Sequence, residues 1–253
     1  MLKFSSENAK TKRLRLIPSL QRYLASKRKV YSLDLLAGWS CPGAKDCLAK
    51  VSMYNGKRQL KDGPNTQFRC FAASLEVVYP PVYNSHKHNF DIVRSVRGWK
   101  QCRDIILASM PKNLGILRWH VSGDFFKLAY FQAAIEIADM FPDRLFYAYT
   151  KSLPFLQRFD ALDLSRGLLR PNFLVTASRG GKYDHLIEPL GIREAKVIFK
   201  KRDAGKLPID HDDSHAATSG GSFNLLLHGV QPAGTPASKA LVQLRGEGSY
   251  NRG

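Results

Sequence analysis

The stretch 114–151 constrains the fold of this chain more than any other. An apolar lead-in, Gly115-Ile116-Leu117, reads as a short strand, and a period of two then places Arg118, His120 and Ser122 on one face. Gly123 permits a tight exit and Asp124 follows at the carboxyl end. The run 127–141 carries Leu128, Phe131, Ile135 and Ala138 at helical spacing, Pro142 stops it, and 144–150 reads as a second strand ending at Lys151. This is a strand–helix–strand unit. Its polar residues gather beyond the carboxyl ends of strands, where parallel α/β proteins assemble their chemistry.

The rest of the chain repeats that alternation. A β-leaning segment at 30–36 leads into Gly38-Trp39-Ser40-Cys41. The stretch 91–110 predicts one helix, with Ile92, Val96, Trp99, Cys102, Ile106 and Met110 along a stripe. A helix is expected over 153–164 and strands over 173–178, 194–199 and 223–227, with a closing helix over 235–244. That order argues for an α/β fold with a parallel sheet. A (β/α) barrel, complete or incomplete, with a cysteine-containing insertion after the first strand fits the 253 residues, and an open doubly wound sheet is the competitor. The expected organisation is a basic arm at 1–29, a single α/β catalytic domain at 30–245 and a flexible tail at 246–253.

Charge narrows the partners. The formal net charge is +18, and residues 1–30 hold nine Lys or Arg against one acid, Glu7. A polyanion is therefore the expected partner, with nucleic acid first; a basic enzyme without such a partner is the alternative. No run reaches the roughly 18 apolar residues of a membrane helix, so no membrane partner is expected. Four cysteines in a chain this long do not form a disulfide scaffold, which fits a reducing, cytoplasmic location.

Three cysteines lie in one region, Cys41-Pro42-Gly43-Ala44-Lys45-Asp46-Cys47 and Phe68-Arg69-Cys70-Phe71. Thiolates are soft ligands, so Cys41, Cys47 and Cys70 are candidate ligands for zinc or an iron–sulfur cluster; reduced structural cysteines are the alternative. The helical stripe favours Cys102 as a core residue, with a fourth ligand as the alternative. His86 and His88 read as exposed, with a ligand role as the alternative. If the strands share one parallel sheet, Cys41, Asp124, Lys151, Arg179, Asp203 and Gln231 all fall just past strand ends. Asp124 is the candidate nucleophile or base, with His120 and Ser122 beside it. As an Asp before a helix it is equally a candidate N-cap. Arg118, Lys151, Tyr149, Arg179 and Gln231 are the candidate substrate contacts: cations for phosphate, an aromatic ring for stacking, an amide for a base edge. The Arg179-Gly180-Gly181-Lys182 turn could cradle phosphate through backbone N–H groups, or be an ordinary tight turn. The 211–215 run, His-Asp-Asp-Ser-His, could hold a hard metal or be ordinary loop polarity.

The combination Leu36-Ala37-Gly38-Trp39-Ser40-Cys41-Pro42-Gly43-Ala44, Phe68-Arg69-Cys70-Phe71-Ala72, Ser122-Gly123-Asp124-Phe125-Phe126 and Phe146-Tyr147-Ala148-Tyr149-Thr150-Lys151-Ser152 resembles the gene-88-type family of tailed-phage proteins, over about 30–235. A weaker resemblance is to the tRNA-guanine transglycosylase-like enzymes of phages that place 7-deazaguanine bases in DNA. It implies a (β/α) barrel, a polynucleotide substrate, an aspartate nucleophile, a cysteine-bound metal and, for a phage-encoded chain, the host cytoplasm. The tRNA enzymes carry Asp-Ser-Gly-Gly-Phe-Gln; here Val121 stands where their base-reading Asp would be, and the cysteines come early in the chain. The expected function is guanine/7-deazaguanine exchange in DNA through Asp124. A non-catalytic, metal-stapled nucleic-acid-binding protein and a metal-dependent nuclease are the alternatives.

Overall fold

The computed structural model describes residues 1–8 and 11–246. In chain order its elements are β1 (Phe4–Ser6), α1 (Gln21–Leu24), β2 (Lys29–Leu33), β3 (Ala49–Tyr54), β4 (Lys57–Asp62), α2 (Phe71–Val78), α3 (Pro80–Ser95), α4 (Trp99–Ser109), β5 (Leu114–Trp119), α5 (Leu128–Met140), β6 (Leu145–Thr150), β7 (Leu168–Arg170), β8 (Phe173–Ser178), α6 (Ile187–Leu190), β9 (Glu194–Ile198), β10 (Phe223–Leu226) and α7 (Pro236–Gly246), with short 3₁₀ turns between several of them. The main sheet runs β1-β2-β5-β6-β8-β9-β10, and β7 pairs with β8 off that path. From β2 to β10 the neighbours on the path are parallel, whereas β1 and β7 pair antiparallel. The fold is therefore mixed α/β around a mostly parallel sheet. No helix among the described residues is long and apolar enough to cross a membrane.

Both faces of the central strands are covered, which is why β5, β6 and β8 read as nearly unbroken apolar runs. On one face Leu117, Trp119, Phe146, Ala148, Phe173 and Val175 pack with the buried side of α5, including Phe131, Ile135 and Ala138. On the other, Val30, Ile116, Tyr147, Leu174 and Phe223 meet Leu14, Leu20, Tyr23 and Leu24 from the N-terminal segment, and Ala216 and Ala217 from the loop before β10. Gly115 is required by this second layer, because a Cβ there would lie 2.1 Å from the Tyr23 carbonyl oxygen.

Several expectations change. The basic stretch at 1–29 contributes the edge strand β1 and buries Leu2, Leu14, Leu20, Tyr23 and Leu24, while Lys3, Lys12, Arg13, Arg22 and Lys27 remain exposed. The single helix expected at 91–110 is two, α3 and α4, parted at Val96, whose backbone is extended, and at Gly98, the N-cap of α4. The helix expected at 153–164 is a 3₁₀ turn at Leu153–Arg158. Residues 247–253 of the expected tail lie outside the described residues. The cysteine region holds an unexpected hairpin, β3–β4, which pairs with no other strand. Its signal was Asn55-Gly56 between two strand-length runs.

Candidate functional site

The register aligns the ends of the parallel strands: Leu33 pairs with Trp119, Trp119 with Ala148, and Thr150 with Ala177. Chain leaving β2, β5, β6 and β8 therefore emerges at one rim. The cysteine loop is pinned there by backbone contacts. The Asp46 N–H donates to Gly180 O (2.9 Å), the Lys182 N–H to Gly43 O (2.9 Å), and the Gln67 N–H to Asp46 O (2.7 Å), which brings the approach to Cys70 alongside Cys47. Gly43 lies so close to Lys151 that a Cβ would come within 2.5 Å of the Lys151 carbonyl oxygen.

Three buried carboxylates hold the loops beneath this layer. Asp34, just past β2, accepts from the Val121 N–H (2.7 Å) and Ser122 N–H (3.3 Å) at Oδ1, and from Ser32 Oγ (2.7 Å) at Oδ2. Glu76 on α2 is fully buried. Its Oε1 accepts from the Ala37 N–H (2.9 Å) and Ser122 Oγ (2.9 Å) and pairs with His86 Nδ1 (2.8 Å), and its Oε2 is buried without a hydrogen-bond partner. Asp124 accepts from the Phe125 N–H (2.7 Å) and Thr150 Oγ1 (2.7 Å) at Oδ1, and from the Lys151 N–H (2.8 Å) at Oδ2. Burial pushes its pKa up to about 6, against the downward pull of the Thr150, Lys151 and Phe125 bonds. Sequence reading missed Asp34 and Glu76, because an isolated acid carries no spacing signal; His86, expected at the surface, is buried against Glu76.

The two readings of Asp124 both change. The N-cap of α5 is Lys127, and no side chain caps it. Asp124 instead staples the β5–α5 loop to the end of β6, with both oxygens occupied, so it is not presented as a free nucleophile. His120 departs further. Its backbone φ of +68° breaks the strand alternation and turns the ring into the core, 4.7 Å from Phe125 between ring centroids, with Nε2 2.9 Å from Tyr130 Oη. Burial, then the charge of Arg118, lowers its pKa to about 3, so it is a neutral core imidazole at physiological pH. Ser122 is at the rim, bonded to Glu76.

The substrate contacts separate likewise. Lys151 Nζ is spent inside the protein, donating to Ser178 O (2.6 Å), Ser178 Oγ (2.9 Å) and Arg179 O (2.9 Å). Arg179 is paired with Glu194. The Gly180 and Gly181 N–H groups, candidates for phosphate, both donate to the Asp184 carboxylate (2.8 Å each). Gln231 accepts from the Arg69 N–H (2.7 Å) and donates to the Arg69 and His228 carbonyls, which clamps the segment before Cys70. Arg118 and Tyr149 lie on the opposite face of the sheet, where Arg118 pairs with Asp213 and its guanidinium stands 5.3 Å from the Tyr149 ring centroid. Burial alone would lower the Arg118 pKa, but Asp213 and the neighbouring tyrosines outweigh it and raise it. In the 211–215 loop, Asp212 pairs with Arg13, while the preceding Asp210 accepts from the Asp212, His215 and Ala216 N–H groups. Those acids organise a turn over the second core.

What remains at the rim are the thiols. Cys41 and Cys47 lie between β2 and β3 and Cys70 at the N-cap of α2; all three are reduced and half-buried. Burial first, then the charges of Asp124, Cys70 and Cys47, pushes the Cys41 thiol well above its ordinary value. Cys70 rises to about 12 through burial and the charge of Cys47, opposed by the Ala73 and Ala72 N–H groups directed at its sulfur. Cys47 is raised by burial, with Lys151 opposing. Cys41 is thus within electrostatic reach of both other sulfurs, Cys70 of Cys47, and Cys41 and Cys47 of Asp124. Cys102 is elsewhere, buried on α4 beside Lys127. Among the described residues no group of three or more His, Cys, Asp or Glu side chains is placed to hold a metal ion.

Neither a curated protein nor a solved structure matches the chain. The family described as gene product 88 does, over residues 2–244, and with nearly its whole length covered this chain belongs to that family.

Proposed function

We propose that this protein is a DNA-modifying enzyme whose reaction centre is a zinc ion or an iron–sulfur cluster bound by Cys41, Cys47 and Cys70. The observation that carries the reading is the convergence of two cysteine-bearing segments at the carboxyl-end rim of a parallel sheet. A bound cation would offset the burial and the negative charges that now keep the thiols protonated. The Ala72 and Ala73 N–H groups at the start of α2 lower the Cys70 pKa and so favour a thiolate there. A single zinc with bonds of ~2.3 Å needs its sulfurs about 3.8 Å apart. A cluster of several irons accepts a wider spread and supplies electron-transfer chemistry when bound.

The protein's own residues then have positioning roles. Asp34 and Glu76 fix the turn at 120–123 and the approach to the cysteine loop. Asp124 and Lys151 tie that loop's seat to β6 and β8, and Gln231 holds Arg69 one residue before Cys70. The net charge of +18 supports a nucleic-acid substrate. The sequential order of the parallel strands is also that of an incomplete (β/α) barrel, and the proposal carries that reading. Guanine/7-deazaguanine exchange remains the specific reaction to test; the occupied oxygens of Asp124 favour a staple over a nucleophile within it.

The test is elemental analysis for iron, sulfide and zinc in protein purified without oxygen, with nucleoside mass spectrometry of DNA from cells expressing it beside a 7-deazaguanine source. Stoichiometric iron and sulfide, or zinc, retained in Cys102→Ser and lost in Cys41→Ser, Cys47→Ser and Cys70→Ser, is the expected result. Wild-type protein without metal, or a Cys41→Ser variant that keeps a full complement, overturns the centre. Unaltered DNA in the presence of a loaded centre overturns DNA modification.

A further inference from the structure

The β3–β4 hairpin stands apart from the main sheet. Its two strands pair in register from Ala49–Asp62 to Tyr54–Lys57 across Asn55-Gly56, both at positive φ. That backbone is the tight hairpin turn whose twist matches the strands, so the ribbon is well defined in shape. Alternation gives it two unlike faces. The inner face buries Ala49 and Val51 and packs Leu60 toward Ala72 and Ala73 of α2. The outer face carries Lys50, Ser52 and Tyr54 opposite Lys61, Gln59 and Lys57, and all but Lys50 are exposed.

This outer face has no acid. The hairpin's one carboxylate, Asp62, is bound by Arg69 through Nε (2.9 Å) and Nη2 (2.5 Å). Tyr54 and Met53 are 61% and 51% exposed at the tip. At the foot, Trp39 is 46% exposed; its Nε1 donates to Val51 O (2.8 Å) and Lys50 Nζ lies 4.6 Å from its ring. Gly38 approaches the ribbon so closely that a Cβ would meet Ala49 O at 2.2 Å. The ribbon is therefore anchored to the turn that delivers Cys41 two residues later.

We infer that the β3–β4 ribbon is a duplex-DNA grip that brings DNA to the cysteine rim; this rests on the reading of DNA as substrate. Two strands about 4.8 Å apart and roughly 20 Å long fit the ~12 Å major groove of B-form DNA. Lys57, Lys61 and Lys50 face the phosphates, and the exposed Gln59 offers its amide to base edges in the groove. The deep, narrow major groove of A-form RNA excludes the same ribbon.

The test measures binding of a fluorescent DNA duplex, and of an RNA duplex of the same sequence, against salt. The proteins are the full chain, Lys57→Glu/Lys61→Glu, and Arg97→Glu/Lys100→Glu as an equal change of charge at other exposed residues. Metal content and unfolding midpoint confirm that each variant is intact. The ribbon variant should bind DNA at least tenfold more weakly, with a log–log salt slope lower by about 2, near 0.9 per phosphate contact; the control pair should change far less. Equal losses in both variants overturn the grip and leave only bulk charge. RNA binding as tight as DNA binding and equally ribbon-dependent overturns the B-form groove assignment. A wild-type chain that binds neither duplex overturns both the ribbon and the nucleic-acid substrate, whereas an ineffective ribbon variant of a DNA-binding chain sinks the ribbon alone.

Discussion

Asp124→Asn separates a buried staple from a free catalytic carboxylate. In the metal-free protein, Asp124 titrates near 6 rather than near 4, because burial penalises the charged form more than its three hydrogen bonds stabilise it. At about 1.4 kcal/mol per pH unit, that is about 3 kcal/mol between its two protonation states. Between those values the folded state binds more protons than the unfolded state, so the contribution of Asp124 falls as pH rises; about 2 kcal/mol of the loss lies between about pH 4.5 and 8. The Asn variant has no such titration. It carries a pH-independent cost instead, since an amide cannot accept from the Thr150 hydroxyl and the Phe125 and Lys151 N–H groups as two oxygens do. One unsatisfied buried N–H costs about 1–3 kcal/mol. The variant should therefore be less stable than wild type by that amount near pH 4.5, and the gap should close or reverse by pH 8. Urea unfolding of both proteins at several pH values, with equal slopes, reads this directly. A gap constant across the range, or one that widens toward pH 8, refutes the account of Asp124 as a desolvated staple.

Asp213→Ala leaves Arg118 buried without its carboxylate and removes the acceptor of the Tyr147 hydroxyl, so it should cost about 3–5 kcal/mol in urea unfolding; a loss below about 1 kcal/mol would contradict the buried pair. The His120 ring, with its pKa lowered to about 3, should remain neutral by NMR at about pH 5, and a ring that titrates near 6.5 would contradict its burial. Since the unfolded chain binds that proton first, His120 should withdraw up to about 5 kcal/mol of stability as pH falls from about 6.5 to 3, opposite in sign to Asp124. Gly115→Ala sets a Cβ against the backbone oxygen of Tyr23, which cannot rotate away, and should lower stability by about 1–3 kcal/mol. An unchanged unfolding midpoint would show that the N-terminal layer is looser than this contact requires.

Local pattern carried much of the architecture. The strand at 173–178 has the bounds expected of it, and the strand at 145–150 and the helix at 128–140 lie within a residue of theirs; the strand at 114–119 stops short of the alternation expected through Ser122, because His120 turns at positive φ. Each is a long apolar run or stripe with a clear breaker, so its periodicity survives the tertiary environment. The hairpin is legible in Asn55-Gly56, a two-residue turn signal between strand-length runs. The division of 91–110 was not legible, because Ile92, Val96, Trp99 and Ile106 keep one stripe through the break at Gly98.

The amino-acid order by itself determined a mixed α/β protein, the placing of 120–124 and 151–152 past strand ends, a cysteine region after the first parallel strand, and a basic charge suited to polyanions. Those properties follow from composition and from neighbours within a few residues. Only the tertiary structure decided what the polar side chains face. Lys151, Arg179 and the Gly180–Gly181 amides are consumed by internal partners, His120 turns into the core through one positive φ, and Asp124 becomes a staple because Thr150 and Lys151 arrive from 26 and 27 residues away. It also joined Glu76 to His86 and Ser122, and the segment before Cys70 to the cysteine loop at 41–47. Such contacts depend on strand register and on which loop closes over which end, and no local spacing encodes that.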